Sequence, residues 1–256
     1  MKKILIGVVA LVLVVVIAIV VGVALFLDSG IKRGVETLGP QLTKVDVKLD
    51  GVSVSLLSGS GKIKGLLVGN PTGYQTPHAI RVDSASLALS PGSIFSDKVV
   101  IKSIRVESPN IYYEAGLSGD NLRTILNNVT EATGGNQPAA TNASAAKKLQ
   151  VDDLFITGAK VNVSLKGTSG FAAPITLPDI HLTNLGQGPD GITAAELTKK
   201  ILSEITTSVA QNAGSVITDI GKGALDSATK AATKAATDTV EKATKGVTDL
   251  FKKKKE

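Results

Sequence analysis

Two histidines, His78 and His181, are the only imidazoles in a chain of 256 residues that has no cysteine. His78 follows Thr76-Pro77 in a loop, and His181 interrupts a strand-like run after Leu177-Pro178-Asp179-Ile180. A catalytic triad or a zinc site needs partners that no nearby spacing supplies to either. Gly59-Ser60-Gly61-Lys62 has the glycines and the lysine of a phosphate loop, but the four-residue gap is missing and Ile63 stands where Ser or Thr is required. It reads as a turn with an exposed lysine. Asp152-Asp153 reads as an exposed strand start rather than a cation site. Asn128-Val129-Thr130, Asn142-Ala143-Ser144 and Asn162-Val163-Ser164 fit the glycosylation acceptor pattern, which is short enough to arise by chance. Tyr112-Tyr113 stands in a chain with three tyrosines, five phenylalanines and no tryptophan, too few rings for a nucleotide-stacking platform. No catalytic residue, metal site or cofactor is expected, and nucleic acid is not an expected partner.

The apolar share of 43% is concentrated at one end. Ile4 to Leu27 is an unbroken run of about 24 uncharged residues, about 36 Å of helix, enough to span a bilayer with some tilt. The run is too long for a cleaved signal peptide, and Ala24-Leu25-Phe26-Leu27-Asp28 is a poor cleavage site. We therefore expect an uncleaved single-pass anchor at 4–27, residues 1–3 in the cytoplasm and the remainder exported. Nothing after Leu27 approaches the roughly 18 apolar residues of a second span, which excludes multi-span transport.

Residues 31–40 read as one or two helical turns stopped by Gly39-Pro40. Over 42–185 the apolar period becomes two, most cleanly where Val161, Val163 and Leu165 alternate with Lys160, Asn162, Ser164 and Lys166. The apolar phase slips by one at Asp50-Gly51, which suits either a hairpin turn or a bulge, and slips again between Val82 and Ala85. Repeated slips predict long, strongly bent strands. Residues 121–132 read as a short helix with Asp120 as its N-cap, and 133–146 as a loop without periodicity. A weak repeat aligns Ile104–Tyr113 with Leu154–Val163, each a strand, a two-residue corner and a strand.

From Thr193 the period is helical. A packing helix is expected over 193–220, an interruption at Gly221-Lys222-Gly223, and an Ala/Lys-rich amphipathic helix with a basic tail over 224–256. Lys252, Lys253, Lys254 and Lys255 are candidates for contact with a membrane surface. The sheet's aliphatic face must be covered. Either the helices suffice, or the sheet curls into a trough that accepts acyl chains.

The apolar run, Val52-Ser53-Val54-Ser55-Leu56, Leu66-Leu67-Val68-Gly69-Asn70-Pro71-Thr72-Gly73-Tyr74, Ile80-Arg81-Val82-Asp83 and the segment Val99–Ile111 with its proline corner follow one another as in AsmA-like proteins. The chain resembles that family over about Met1–Glu114, and less closely over Leu149–Leu185. The resemblance implies one N-terminal transmembrane helix and a curved antiparallel sheet forming a hydrophobic groove related to that of chorein-type bridge proteins; with the long C-terminal amphipathic helices read from the period, the expected fold is α+β. It also implies an inner-membrane, periplasmic location, a role in phospholipid transport or envelope maintenance, and a bulge at Asp50-Gly51. No catalytic residues carry over. The groove-lining candidates are Val45, Val47, Val52, Val54, Leu66, Val68, Leu87, Leu89, Val161 and Val163. About eight strands at roughly 4.8 Å give a groove near 40 Å, too short to cross a periplasm alone. Membrane phospholipids are the expected ligands, and a second copy or an envelope protein the expected partner. The alternative is a structural or assembly protein with a self-capped sheet and a C-terminal helix that mediates oligomerisation or membrane contact.

Overall fold

The computed structural model describes residues 28–134, 147–167 and 174–252. The anchor expected over 4–27, most of the 133–146 loop and Lys253–Lys255 lie outside these residues. Among the described residues no helix is long and apolar enough to cross a membrane.

The protein is α+β, and its described residues form a curled half-barrel sheet of ten strands that makes a groove. The strands are β1 (Val47–Val54), β2 (Ser60–Val68), β3 (Ile80–Leu89), β4 (Lys98–Glu107), β5 (Asn110–Gly116), β6 (Gly119–Asp120), β7 (Lys148–Thr157), β8 (Lys160–Leu165), β9 (Ile175–Thr176) and β10 (Ile180–Leu185). The expected antiparallel sheet is in fact mixed: β4 lies parallel to β7, and β5 parallel to β8. The internal repeat explains the polarity. Ile104 faces Leu154, Val106 faces Ile156, Ile111 faces Val161 and Tyr113 faces Val163, so the second strand–corner–strand unit lies directly on the first.

The phase slips fall on one transverse row of the sheet. Leu49 faces Leu66 and Gly51 faces Lys64, so β1 is one continuous strand, with Asp50 opposite Gly65 and no inserted residue. Gly65 in β2 has a φ of 62°, a left-handed conformation that turns the following side chains of β2 to its other side. In the same register, Asp83 of β3 lies on the far side of Gly65. The row continues through the corners at Ser108 (φ 48°) and Gly158 (φ 61°). The sheet therefore folds along a transverse crease. Because the side chains switch sides there, aliphatic residues on both flanks stay on the concave face.

Helix α1 (28–43) lies along the outer edge of β1. Val54 N donates to Asp28 Oδ1 at 2.9 Å, Leu49 N donates to Glu36 Oε1 at 3.1 Å, and Lys32 Nζ donates to the Leu49 carbonyl. Groups one helical turn apart thus satisfy the backbone of an otherwise open edge strand. The helix does not stop at Gly39-Pro40. A Cβ on Gly39 would come within 2.8 Å of Val47 Cβ, and the helix ends only at Lys44, whose φ is 58°. The close approach to β1 requires a glycine there, and packing outweighs the proline.

Helix α2 (Asn121–Gly134) is capped by Asp120, whose Oδ1 accepts from Arg123 N at 2.7 Å. It buries Leu122, Ile125 and Val129. Helix α3 (Ala194–Lys252) is one helix of 59 residues rather than two. Gly221 and Gly223 continue it, since an exposed glycine costs a helix only about 1 kcal/mol. A capping box starts it: Glu196 Oε2 accepts from Thr193 N at 2.7 Å and Glu196 N donates to Thr193 Oγ1 at 3.1 Å. These bonds hold the Glu196 carboxyl below the usual carboxylate range.

Candidate binding groove

The concave side of the sheet is only partly filled by helix. Leu202, Ile205, Val209 and Ala213 of α3 and Leu122, Ile125 and Val129 of α2 pack into one core with Ile111, Val151, Val161 and Val163. Between α3 and strands β2 and β3 an apolar pocket of about 280 Å³ is left. Ile63, Leu66, Val68, Ile80, Val82, Ala85 and Leu87 line one wall. Ile104, Val106, Ile111, Leu154 and Ile156 form the floor, and Thr198, Ile201, Leu202 and Ile205 the helical wall. The lining draws on both sides of the crease. Leu66, Val68, Leu87 and Ile201 are only half-buried, so the pocket opens to solvent.

Of the sequence candidates, Leu66, Val68 and Leu87 line this pocket. Val45, Val161 and Val163 lie in the closed core, and Leu89 packs against it. Val47 lies under α1 against Gly39, Val54 is buried with its N–H bonded by Asp28, and Val52 is half-buried. The α3 lining residues and Ile63, Ile104 and Ile156 were not singled out from the sequence. The signal for the α3 residues is the helical period that sets in at Thr193, and the crease explains how strands of different phase share a face. Lys252 is the last described residue of α3.

The chemical candidates are placed by structural contacts. His181 Nε2 lies 2.7 Å from Asp153 Oδ1 and its ring stacks on Phe155 at 4.2 Å, on the exposed side of the sheet. His78 meets Tyr112 edge-on at 4.8 Å, and burial, then the Arg81 charge, lower its pKa. Among the described residues no cluster of His, Asp and Glu is arranged to hold a metal ion. Ser164 of Asn162-Val163-Ser164 is buried, and Asn142-Ala143-Ser144 lies outside the described residues.

Polar chemistry is concentrated behind the groove, where sequence reading found none. Glu114 is 3% exposed, and its Oε2 accepts from Gln75 N at 2.7 Å and Thr76 N at 2.9 Å. Asn121 accepts from Glu114 N at 3.0 Å and donates to Asn70 Oδ1 and the Tyr112 carbonyl, each at 2.8 Å. This network pins the 69–79 loop over the outer face of β5. Tyr113 beside it has its pKa pushed up to about 12, by burial first and then by Asp120.

The AsmA family model matches residues 1–169, which takes in β1 to β8, the crease and the parallel repeat. The chain belongs to the AsmA family. The matched region supplies the sheet walls of the pocket, whereas β10 and the α3 wall lie beyond it in this AsmA-family chain. No curated protein and no solved structure matches the chain.

Proposed function

We propose that this AsmA-family protein holds lipid acyl chains in the pocket between β2, β3 and α3. In this reading Ile4–Leu27 anchors the chain in the inner membrane, the folded body is periplasmic, and the protein takes part in phospholipid transport or envelope maintenance without a catalytic step. The observation that carries it is a set of aliphatic walls left half-covered by the protein's own helices, with Thr198 the one polar lining residue among the described residues. Each methylene moved from water into such a space contributes about 0.8 kcal/mol, with no requirement on the headgroup. A volume of about 280 Å³ falls just below the roughly 300–1,000 Å³ of ligand pockets, which favours a segment of one chain over a whole two-tailed lipid. Transfer across a compartment then calls for a second copy or an envelope partner.

The test is native mass spectrometry and lipid extraction of the detergent-purified protein beside an Ala85→Phe variant. Ala85 is buried in the pocket wall, so the ring occupies the space a chain would use. The reading expects co-purifying phospholipid with the parent and several-fold less with the folded variant. Equal lipid in both would remove it.

A self-capped scaffold is the second reading, favoured by the burial of Val209 and Ala213 of α3 against the sheet core. Deleting 224–256 discriminates: an assembly role predicts a change in oligomeric state or membrane distribution, and a purely lipid-holding body predicts neither.

A further inference from the structure

We propose that the sheet end built from loops 55–59 and 90–97 is an apex that sits on an anionic lipid surface. The inference rests on the reading of Ile4–Leu27 as the anchor. The hydrogen bonds of α1 fix where that anchor joins the body. Asp28 is bonded to Val54, at the end of β1, while Glu36 is bonded to Leu49 and Gly39 faces Val47. Thus α1 runs antiparallel to β1, and the apolar run ends at Leu27, one residue before a group held three positions from Leu57.

At this end the body exposes what a bilayer surface takes up. Leu57 is 83% exposed at the β1–β2 turn and Phe95 is 72% exposed in the loop before β4. The two loops touch: Leu89 N donates to Gly59 O at 2.6 Å, and a Cβ on Gly59 would meet Pro91 Cδ at 3.1 Å. Lys147 and Lys148 are exposed beside Phe95. Lys147 Nζ donates to the Ile94 and Ser96 carbonyls at 2.6 and 3.2 Å, and Lys148 N donates to Asp97 O at 2.9 Å. Lys98 Nζ is held on Gly188 O at 2.8 Å, and the acidic residues beside these lysines are Asp97, Asp190 and Glu196. Two adjoining apolar tips with Lys147, Lys148 and Lys98 on the Phe95 side match an interfacial contact, with side chains at the acyl boundary and lysines toward anionic headgroups.

The chain has no cysteine, so single-cysteine variants report position directly. Leu57→Cys, Phe95→Cys and Leu117→Cys in the full chain, each carrying a polarity-sensitive fluorophore, are reconstituted into phosphatidylethanolamine vesicles with and without phosphatidylglycerol. Leu117 is fully exposed on the β5–β6 turn at the opposite end and serves as control. We expect quenching by spin-labelled lipid about twofold or more greater at 57 and 95 than at 117, reduced when phosphatidylglycerol is omitted. Quenching at 57 and 95 no greater than at 117, in a chain that floats with vesicles after carbonate washing, overturns the apex and leaves the anchor standing. A chain that does not float overturns both.

Discussion

Gly65 is one of three left-handed positions on the crease, and Gly65→Ala tests its part in the bend. Its φ of 62° costs an L residue about 1–2 kcal/mol relative to glycine. A Cβ there also meets Asp50, whose carboxylate can swing away but whose own Cβ, 2.7 Å from the new atom, can move only with the β1 backbone. Relieving such an overlap in packed surroundings costs about 1–3 kcal/mol, for a total of about 2–5 kcal/mol. For a body of this size that corresponds to a fall in Tm of roughly 4–20 °C. The control is Gly51→Ala, one residue past Asp50, where a Cβ has open space and φ is not left-handed. Thermal unfolding followed by circular dichroism reads both variants. If Gly65→Ala melts within a degree or two of Gly51→Ala, the crease is not held by this residue and the account of the phase slips is wrong.

Glu114→Ala leaves two backbone N–H groups without their acceptor, one of them on buried Thr76, at about 1–3 kcal/mol each, so stability falls and amide exchange rises first at Gln75 and Thr76. Tyr113 has a folded pKa of about 12 against an ordinary 10, so its neutral form is favoured by folding. Stability therefore drops as pH rises from 10 through 12, and Tyr113→Phe flattens that part of the denaturant-midpoint profile. The double change Gly221→Ala and Gly223→Ala places methyl groups at sites with no contact closer than 3.9 Å and raises helix stability by about 0.5–1 kcal/mol per residue, seen as increased amide protection around 215–230. An interruption of the helix at these glycines would instead leave protection unchanged.

Much of the architecture was legible because aliphatic alternation records which face is covered. The slips at Asp50-Gly51 and between Val82 and Ala85 marked the crease, and the likeness of Ile104–Tyr113 to Leu154–Val163 marked units that stack. Strand polarity was not legible, because side-chain alternation is the same whether a neighbour runs up or down. The stretch 174–185 lies within the region of strand period, yet Leu177-Pro178-Asp179 is a corner between β9 and β10, and the apolar phase changes there from Ile175 and Leu177 to Ile180 and Leu182. Glu114 and Asn121 escaped notice since a buried carboxylate and a surface one look alike until the loop that bonds them is folded back. For the groove, alternation identified Leu66, Val68 and Leu87 as aliphatic positions. Which of ten such positions stay uncovered depends on where α3 lies, and that is a tertiary property.

The parallel register has a consequence for how such a shell can change in length. Lys98 faces Lys148 and Asn110 faces Lys160, so one rib lies on its predecessor at a constant sequence interval, with its elbow over the elbow below. A rib stacked this way offers the next the same edge, the same direction and the same bend, and duplicating the stretch between them lengthens the trough by one strand spacing, about 4.8 Å, without redesign of either end. β9 and β10, of two and six residues and running in the opposite sense, terminate that series. Growth by tandem copying therefore belongs in the middle of this chain, between its first rib and its closing one.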